Sequence, residues 1–214
     1  MLPRPRSPAT RFLKIKELVD SGAIGDVRLA MVTLHQQPAP DDADPVKRPW
    51  RVAPEIAGGG KFLDLASHTL DFLDYLLGPI AQVKGLAGNQ AGLYPAEDIV
   101  TATWRFASGV QGTGAWCFTA HGDLDVTEIV GSRGKLAFST FGAEPISLTT
   151  ADGVSRFAIR NPVHIQQPMI QTVVDELNGV GHCPSTGVSA ARTTWVMDEV
   201  LREWRTRSGI PLST

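Results

Sequence analysis

Residues 98–118 read DIVTATWRFASGVQGTGAWCF and contain two alternating stretches joined by a short turn. In the first stretch, one side carries Thr101, Thr103 and Arg105, and the other carries Ala102, Trp104 and Phe106. The second stretch, Val110–Phe118, adds Trp116 and Phe118. A period of two predicts β-strands, and the short Ser108-Gly109 joint predicts that they form a hairpin.

More strand-like stretches lie on both sides of this hairpin. They cover residues 26–37, 81–89, 124–130, 135–139 and 146–150. Arg133-Gly134 is short enough to join two of these strands in a second hairpin. Because the strands after residue 80 follow one another without intervening helices, the sequence predicts a mainly antiparallel sheet.

Helical periodicity appears before, between and after the strands. The predicted helices cover Arg11–Gly25, Phe62–Leu77, Gln166–Asn178 and Gly187–Arg205. This order predicts an α+β fold, in which helices pack on one face of a large open sheet.

Composition excludes several classes of protein. The 214 residues carry a formal net charge of −2, with 43% hydrophobic and 20% charged residues, as in an ordinary globular chain. The basic footprint of a nucleic-acid-binding protein is missing, as is an apolar run of transmembrane length. Met1–Arg11 lacks the apolar core of a secretory signal. Cys117 and Cys183 match no metal-binding spacing, so the expectation is a reducing, cytoplasmic compartment.

Motifs that hold nucleotides are missing from the sequence. Glycine pairs such as Gly112 and Gly114 lack the third glycine of GxGxxG, and neither Gly-Lys pair precedes Ser or Thr. The segment 38–60, rich in Pro, Asp and Gly, is predicted to be a long loop with a turn of helix around Asp44-Pro45. A loop of this length is more often functional than idle.

The predicted helix Phe62–Leu77 has a polar face whose side chains are of types that take part in acid–base catalysis. At about 100° per residue, Asp64, His68, Asp71 and Tyr75 share one side of the helix. Asp64 and His68 are i, i+4 neighbours, so the carboxylate is close enough to hold the imidazole and to help it move a proton near neutral pH. The alternative is that this face is simply solvated, since such pairs are common on helix surfaces.

A resemblance favours the chemical interpretation. The stretch GGGKFLDLASHTLD, residues 58–71, is similar to the GGG-x-hydrophobic-x-D-x-G-x-H-x-x-D motif of the Gfo/Idh/MocA oxidoreductases, with Ala66 in place of the usual Gly. Trp50-Arg51 resembles the Trp-Arg that precedes the glycines in that family. The segments LVDSGAIGDV, residues 18–27, and IVGSRG, residues 129–134, also resemble family segments.

The resemblance implies roles for particular residues. His68 is the expected acid/base on a substrate hydroxyl, and Asp64 is expected to hold substrate hydroxyls or to orient His68. Lys61, Trp50 and Arg51 are expected at the mouth of the substrate pocket. Asp71 completes the candidate substrate-binding set, although supporting the helix is its more plausible role.

Two other features remain open at this stage. His164, just before the third helix, either faces the substrate or serves as a polar residue at a helix start. The sheet face that the helices leave free is expected to be partly apolar. An apolar face usually marks an interface, so a homodimer or higher homo-oligomer is expected there, in agreement with the resemblance.

Family members have two domains, and this sequence resembles only the second. Residues 1–10 are therefore interpreted as a leftover interdomain segment, and 11–214 as a substrate-binding and oligomerisation domain. The resemblance implies NAD or NADP and a sugar or polyol substrate for a full-length enzyme. For this chain alone, neither a bound cofactor nor dehydrogenase activity is expected. The alternative is a non-catalytic carbohydrate-binding or dimeric scaffold domain.

Overall fold

The computed structural model describes residues 11–210 and contains one eight-stranded sheet. The strands are β1 (Val27–His35), β2 (Ile80–Gly88), β3 (Ile99–Phe106), β4 (Gln111–Cys117), β5 (Leu124–Gly131), β6 (Gly134–Phe138), β7 (Ile146–Thr150) and β8 (Gly153–Phe157). Their spatial order is β2-β3-β4-β1-β5-β6-β7-β8. All neighbours are antiparallel except β1 and β4, which run parallel.

The helices are α1 (Arg11–Asp20), α2 (Pro54–Ala57), α3 (Lys61–Leu77), α4 (Gln167–Leu177) and α5 (Gly187–Ser208). The predicted α+β open sheet with its helices on one face is confirmed, and so are both predicted hairpins. The first helix ends at Asp20, earlier than expected. In the long loop, short 3-10 helices form at Pro40–Ala43 and Trp50–Val52. The expected turn at Asp44-Pro45 is also present, since the backbone N–H of Arg48 donates to the carbonyl of Asp44 over 2.9 Å.

The core lies between the helices and one face of the sheet. Its aromatic side chains include Trp104, Phe106, Trp116 and Phe118, all buried, while Phe62 of α3 meets Trp116 edge-on with ring centroids 5.0 Å apart. Gly112 and Gly114 leave room for these indoles, because a Cβ at either position would overlap a tryptophan ring. These glycines therefore serve packing.

Among residues 11–210, no helix covers the opposite face of the sheet. On β3 it presents Thr101, Thr103 and Arg105, all exposed, and on β1 it presents Met31 and Thr33. The large aromatic residues of the β3–β4 hairpin are on the face that the helices cover, so the open face of the sheet is more polar than the covered face. Within the described residues, no helix is long and apolar enough to cross a membrane.

Candidate functional site

The three glycines before α3, residues 58–60, form what we call the glycine turn. Side chains from distant parts of the chain hold this turn in place. The backbone N–H of Gly60 donates to Glu97 Oε1 over 2.8 Å, and Arg205 Nη2 donates to the carbonyl of Gly58 over 3.0 Å. A Cβ on Gly60 would lie 2.7 Å from the Glu97 carbonyl oxygen, so only glycine fits there. Gly58 has a φ of +74°, a left-handed backbone conformation that residues with a side chain rarely adopt. These contacts fix where α3 begins.

Glu97, just before β3, is fully buried and does not reach the polar face of α3. Burial raises the pKa of its carboxyl above the ordinary value, because the charged form loses its solvation; the hydrogen bond from Gly60 opposes this shift. Its second oxygen, Oε2, is buried without a hydrogen-bond partner. An acid in this setting suits a structural role at the glycine turn.

Lys61, the first residue of α3, is buried and does not line an open mouth. Its Nζ lies 2.6 Å from Asp42 Oδ2, and the same Asp42 oxygen accepts from the backbone N–H of Ala39 over 2.8 Å. The pair therefore ties the long loop to the start of α3. The expectation that Lys61 contacts substrate would require this ion pair to open.

Asp64 lies one turn further along α3 and is paired with Arg51. Arg51 Nε lies 2.5 Å from Asp64 Oδ2, and the guanidinium stacks over the ring of Trp50 with Cζ 4.7 Å from its centroid. The structure thus brings Trp50, Arg51 and Asp64 together through an ion pair that the sequence did not indicate. Among the described residues, the hydrogen-bond partner of the Asp64 side chain is Arg51 and not His68.

His68 is exposed on the same face of α3, one turn after Asp64. Its ring meets the ring of Phe141 edge-on, with centroids 5.8 Å apart. Phe141 is in the loop between β6 and β7, and its backbone N–H donates to Asp125 Oδ2 over 2.7 Å. The buried side chain of Arg11 holds the same loop, because it donates to the backbone carbonyls of Gly142 and Glu144.

Asp71 and His164 have different surroundings. Asp71 Oδ2 accepts from Ser185 Oγ over 3.1 Å, which connects α3 to the segment between α4 and α5. This contact agrees with the more plausible role for Asp71, support of the helix. His164 is exposed in the turn before α4, where its carbonyl accepts from Gln167 N.

The arrangement offers an imidazole in contact with Phe141, and a carboxylate paired with a guanidinium that stacks on Trp50. Such a surface can hold a polyhydroxylated molecule, because aromatic rings cover its apolar faces while charged groups bond its hydroxyls. An imidazole can also exchange a proton with such a hydroxyl near neutral pH. The described residues contain no group of three or more His, Cys, Asp or Glu that could hold a metal ion.

Sequence reasoning missed two residues that build this site, Phe141 and Glu97. Phe141 is preceded by Ser139-Thr140 and followed by Gly142, so its sequence context indicates only a turn. Glu97 stands beside another acid, Asp98, in a polar segment that gives no sign of burial. Only long-range packing brings either residue to α3.

Comparisons with known proteins agree with the fold of this chain. A family model described as the GFO/IDH/MocA C-terminal domain matches residues 12–137. Oxidoreductase P35 of Formosa agariphila is 34% identical over 187 residues, which is 87% of this chain and 57% of that protein. Inositol 2-dehydrogenase of Rhizobium meliloti is 29% identical over 154 residues, 68% of this chain and 43% of that protein.

A solved structure shares the fold. Levoglucosan dehydrogenase in complex with NADH and levoglucosan superposes with a TM-score of 0.73 at 20% identity, over 90% of this chain and 60% of that one. The chain thus spans about half the length of the relatives it matches, from 43% to 60% in these three comparisons.

Proposed function

Because the chain belongs to the Gfo/Idh/MocA family of oxidoreductases, as its C-terminal domain, we propose that residues 11–214 form the substrate-binding and oligomerisation part of an NAD(P)-dependent dehydrogenase. Residues 1–10 are then the end of an interdomain segment. The substrate is a sugar, a polyol or a related hydroxy compound. A reducing, cytoplasmic location fits the two free cysteines, Cys117 and Cys183.

One observation carries this proposal. His68 is exposed on α3 with its ring against Phe141, one turn from Asp64, and Asp64 is paired with the Arg51 that stacks on Trp50. Related proteins are named for dehydrogenation of inositol and of levoglucosan, both polyhydroxylated. A hydroxyl-rich ring that enters this surface would meet an imidazole beside a paired carboxylate.

His68 would supply the acid/base step. Oxidation of an alcohol carbon removes the hydroxyl proton, and a ring nitrogen of a neutral imidazole can accept it. Asp64, held by Arg51, would accept a hydrogen bond from a neighbouring hydroxyl of the substrate and so orient the substrate ring. The described residues do not fit a dinucleotide, since the sequence has no GxGxxG and its sheet has only one parallel pair. The hydride acceptor is therefore assigned outside this chain.

The test joins the chain to the N-terminal part of Oxidoreductase P35, the part that has no counterpart here. Formation of reduced nicotinamide is measured with myo-inositol, levoglucosan and a panel of sugars. In a variant with His68→Asn, the rate should fall by about 10²–10⁴-fold, the usual cost of losing a proton shuttle. The matched control His121→Asn, at an exposed turn residue, should leave the rate unchanged.

Other outcomes separate the alternatives. The unfused chain should give no turnover, and turnover by it would contradict the assignment of the hydride acceptor to another domain. Sugar binding by calorimetry without turnover in the fusion would favour a carbohydrate-binding or scaffold protein. An unchanged rate with His68→Asn would remove His68 from the mechanism.

We also infer that the open face of the sheet forms a homo-oligomer interface. Its centre is made of β1 and β4, where Met31 and Thr33 stand beside Thr113 and Ala115. The short side chains of Thr33, Thr113 and Ala115 allow a second sheet to approach closely, and Met31 supplies apolar contact area. Met31→Arg should therefore convert the oligomer to a monomer in sedimentation velocity. A monomeric unmodified chain would contradict the inference.

A further inference from the structure

The loop between β6 and β7, residues 139–145, brings an exposed phenyl ring to the polar face of α3. Phe141 is 42% exposed, and its ring meets that of His68 with centroids 5.8 Å apart and ring planes at 89°. Aromatic pairs favour this edge-to-face arrangement, at centroid separations of about 4.5–7 Å, over a face-to-face one. The contact therefore has the geometry of a specific ring pair.

Phe141 is the residue that limits the orientation of the imidazole. Asp64, one helical turn before His68, has its carboxylate paired with Arg51. Among residues 11–210, no hydrogen bond or ion pair engages the His68 side chain. Because an exposed side chain without such bonds moves between rotamers in nanoseconds or less, the phenyl ring is what favours one orientation of the imidazole.

The loop that carries Phe141 is held in place by polar groups from other parts of the chain. Asp125 Oδ2 on β5 accepts from the backbone N–H of Phe141 over 2.7 Å and from the hydroxyl of Ser139. Arg11, whose side chain is buried, donates to the backbone carbonyl of Glu144 over 2.8 Å. Hydrogen bonds with a charged partner are about twice as strong as neutral ones, so these contacts fix the loop before and after Phe141.

A further hydrogen bond ties this loop to α3 next to His68. The buried Thr69 donates from Oγ1 to Thr140 Oγ1 over 3.2 Å. Thr69 directly follows His68, and Thr140 directly precedes Phe141. The two residues that meet through their rings are therefore adjacent to two residues that meet through their hydroxyls, and the loop cannot shift along α3 without breaking this bond.

We propose that Phe141 is a positioning residue for His68 and that it forms an apolar wall of the surface around Asp64 and His68; this rests on the proposed function. The anchored phenyl ring keeps the imidazole in one orientation, so the proton acceptor is in place when a substrate hydroxyl arrives. The exposed part of the phenyl ring can be covered by the C–H groups of a cyclic polyol, whereas an open-chain polyol has no such rigid face.

The first test is NMR of the unfused chain with labelled histidine, in which the His68→Asn spectrum identifies the His68 ring signals. The ring current of Phe141 displaces these signals from the positions of a solvated histidine. Phe141→Leu should abolish that displacement and increase the motion of the imidazole, whereas Phe141→Tyr, which keeps an aromatic ring, should retain both properties. Trp195→Leu on α5, where the side chain is 43% exposed, is the matched control and should leave the signals in place.

Loosening the loop without changing Phe141 tests the positioning more strictly. Ser139→Ala removes the hydroxyl that donates to Asp125 and accepts from the backbone N–H of Gly142 over 2.6 Å. The His68 signals should then move part of the way toward those of Phe141→Leu. The melting temperature separates such a local change from unfolding, and Phe141→Leu should melt near the unmodified chain because its side chain is exposed.

The second test is the kinetics of the fusion to the N-terminal part of Oxidoreductase P35. With myo-inositol or levoglucosan, whichever is oxidised faster, Phe141→Leu should lower kcat by about ten-fold. This loss is smaller than the roughly 10²–10⁴-fold expected for His68→Asn, because the imidazole is present but poorly oriented. The preference for myo-inositol over sorbitol, an open-chain polyol with the same number of hydroxyls, should fall by about 2- to 10-fold in kcat/KM. Phe141→Tyr should restore both values.

Three results would overturn the proposal. Unchanged His68 signals in Phe141→Leu would show that the phenyl ring does not orient the imidazole. A higher KM at unchanged kcat would mean that Phe141 contacts substrate without positioning His68. An unchanged preference for the cyclic polyol would remove the apolar wall. A fusion without turnover contradicts the dehydrogenase function instead, and the spectra of the unfused chain then decide whether Phe141 positions His68.

Discussion

Helices α3 and α4 have similar amphipathic sequences and opposite environments. The apolar side of α3 is buried against the sheet, with Phe62, Leu70 and Leu73 at most 2% exposed, whereas α4 buries none of its residues. The start of α3 is also anchored, by Glu97 at Gly60 and by Asp42 at Lys61. In α4, by contrast, no side chain caps the start. The same local pattern therefore supports a fixed scaffold in one helix and an available surface in the other.

The largest expected effect concerns the anchor of α3. Lys61→Met leaves the carboxylate of Asp42, whose side chain is 1% exposed, without its cation. Removing one partner of a buried ion pair typically lowers the free energy of unfolding by about 3–5 kcal/mol. Urea denaturation measures this loss.

The control is Lys14→Met in α1, which breaks the exposed pair with Glu17. Surface pairs contribute about 0–1 kcal/mol, so this variant should unfold near the original midpoint. Equal losses in the two variants would show that Lys61 does not anchor α3.

A matched pair of leucines tests the comparison directly. Leu73 on α3 is 0% exposed and Leu177 on α4 is 83% exposed. Leu73→Ala should lower the free energy of unfolding by about 2–5 kcal/mol, through lost burial and the cavity left behind. Leu177→Ala should change it by no more than about 0.5 kcal/mol, as for other surface sites. A large loss from Leu177→Ala in the unfused chain would mean that α4 is already covered.

The smallest expected effect is on the pH dependence of stability. The pKa of Glu97 is raised by burial, so as pH increases the unfolded chain releases this proton before the folded chain does. The folded state then binds more protons above the ordinary pKa of 4.5, and this group makes stability fall as pH rises through that interval. Glu97→Gln does not titrate, and its amide oxygen can still accept from Gly60.

Urea unfolding at a series of pH values on both sides of 4.5 measures this effect. The decline in stability with pH should be shallower in Glu97→Gln than in the unmodified chain. Parallel curves for the two proteins would show that burial does not raise the pKa of Glu97.

Most strands could be predicted because alternation is a local signal. Both hairpins and the bounds of most strands follow from a period of two and from turn residues such as Ser108-Gly109. Strand β8 was missed, since Val154, Ser155 and Arg156 are all exposed and form a strand only by pairing with β7. The parallel pairing of β1 with β4 also has no local signal, because more than 70 residues separate the two strands.

The candidate site was predictable in part. Asp64 and His68 share a face of α3 because the helical period places them there. The pairing of Asp64 with Arg51, and not with His68, was not indicated by the sequence. The sequence did not indicate that Lys61 is buried against Asp42, because both residue types are usually exposed. Nor did it indicate Phe141, which comes from a loop 73 positions after His68.

The sequence by itself determined most of the segments that become helices and strands, and which side chains of α3 share a face. Those properties follow from local backbone geometry, so a short stretch of residues is enough to predict them. The tertiary structure decided which faces are covered, which charged groups are paired, and which distant residues meet α3. These outcomes depend on long-range packing, where a buried helix and an exposed one carry the same periodicity and differ only in what lies against them.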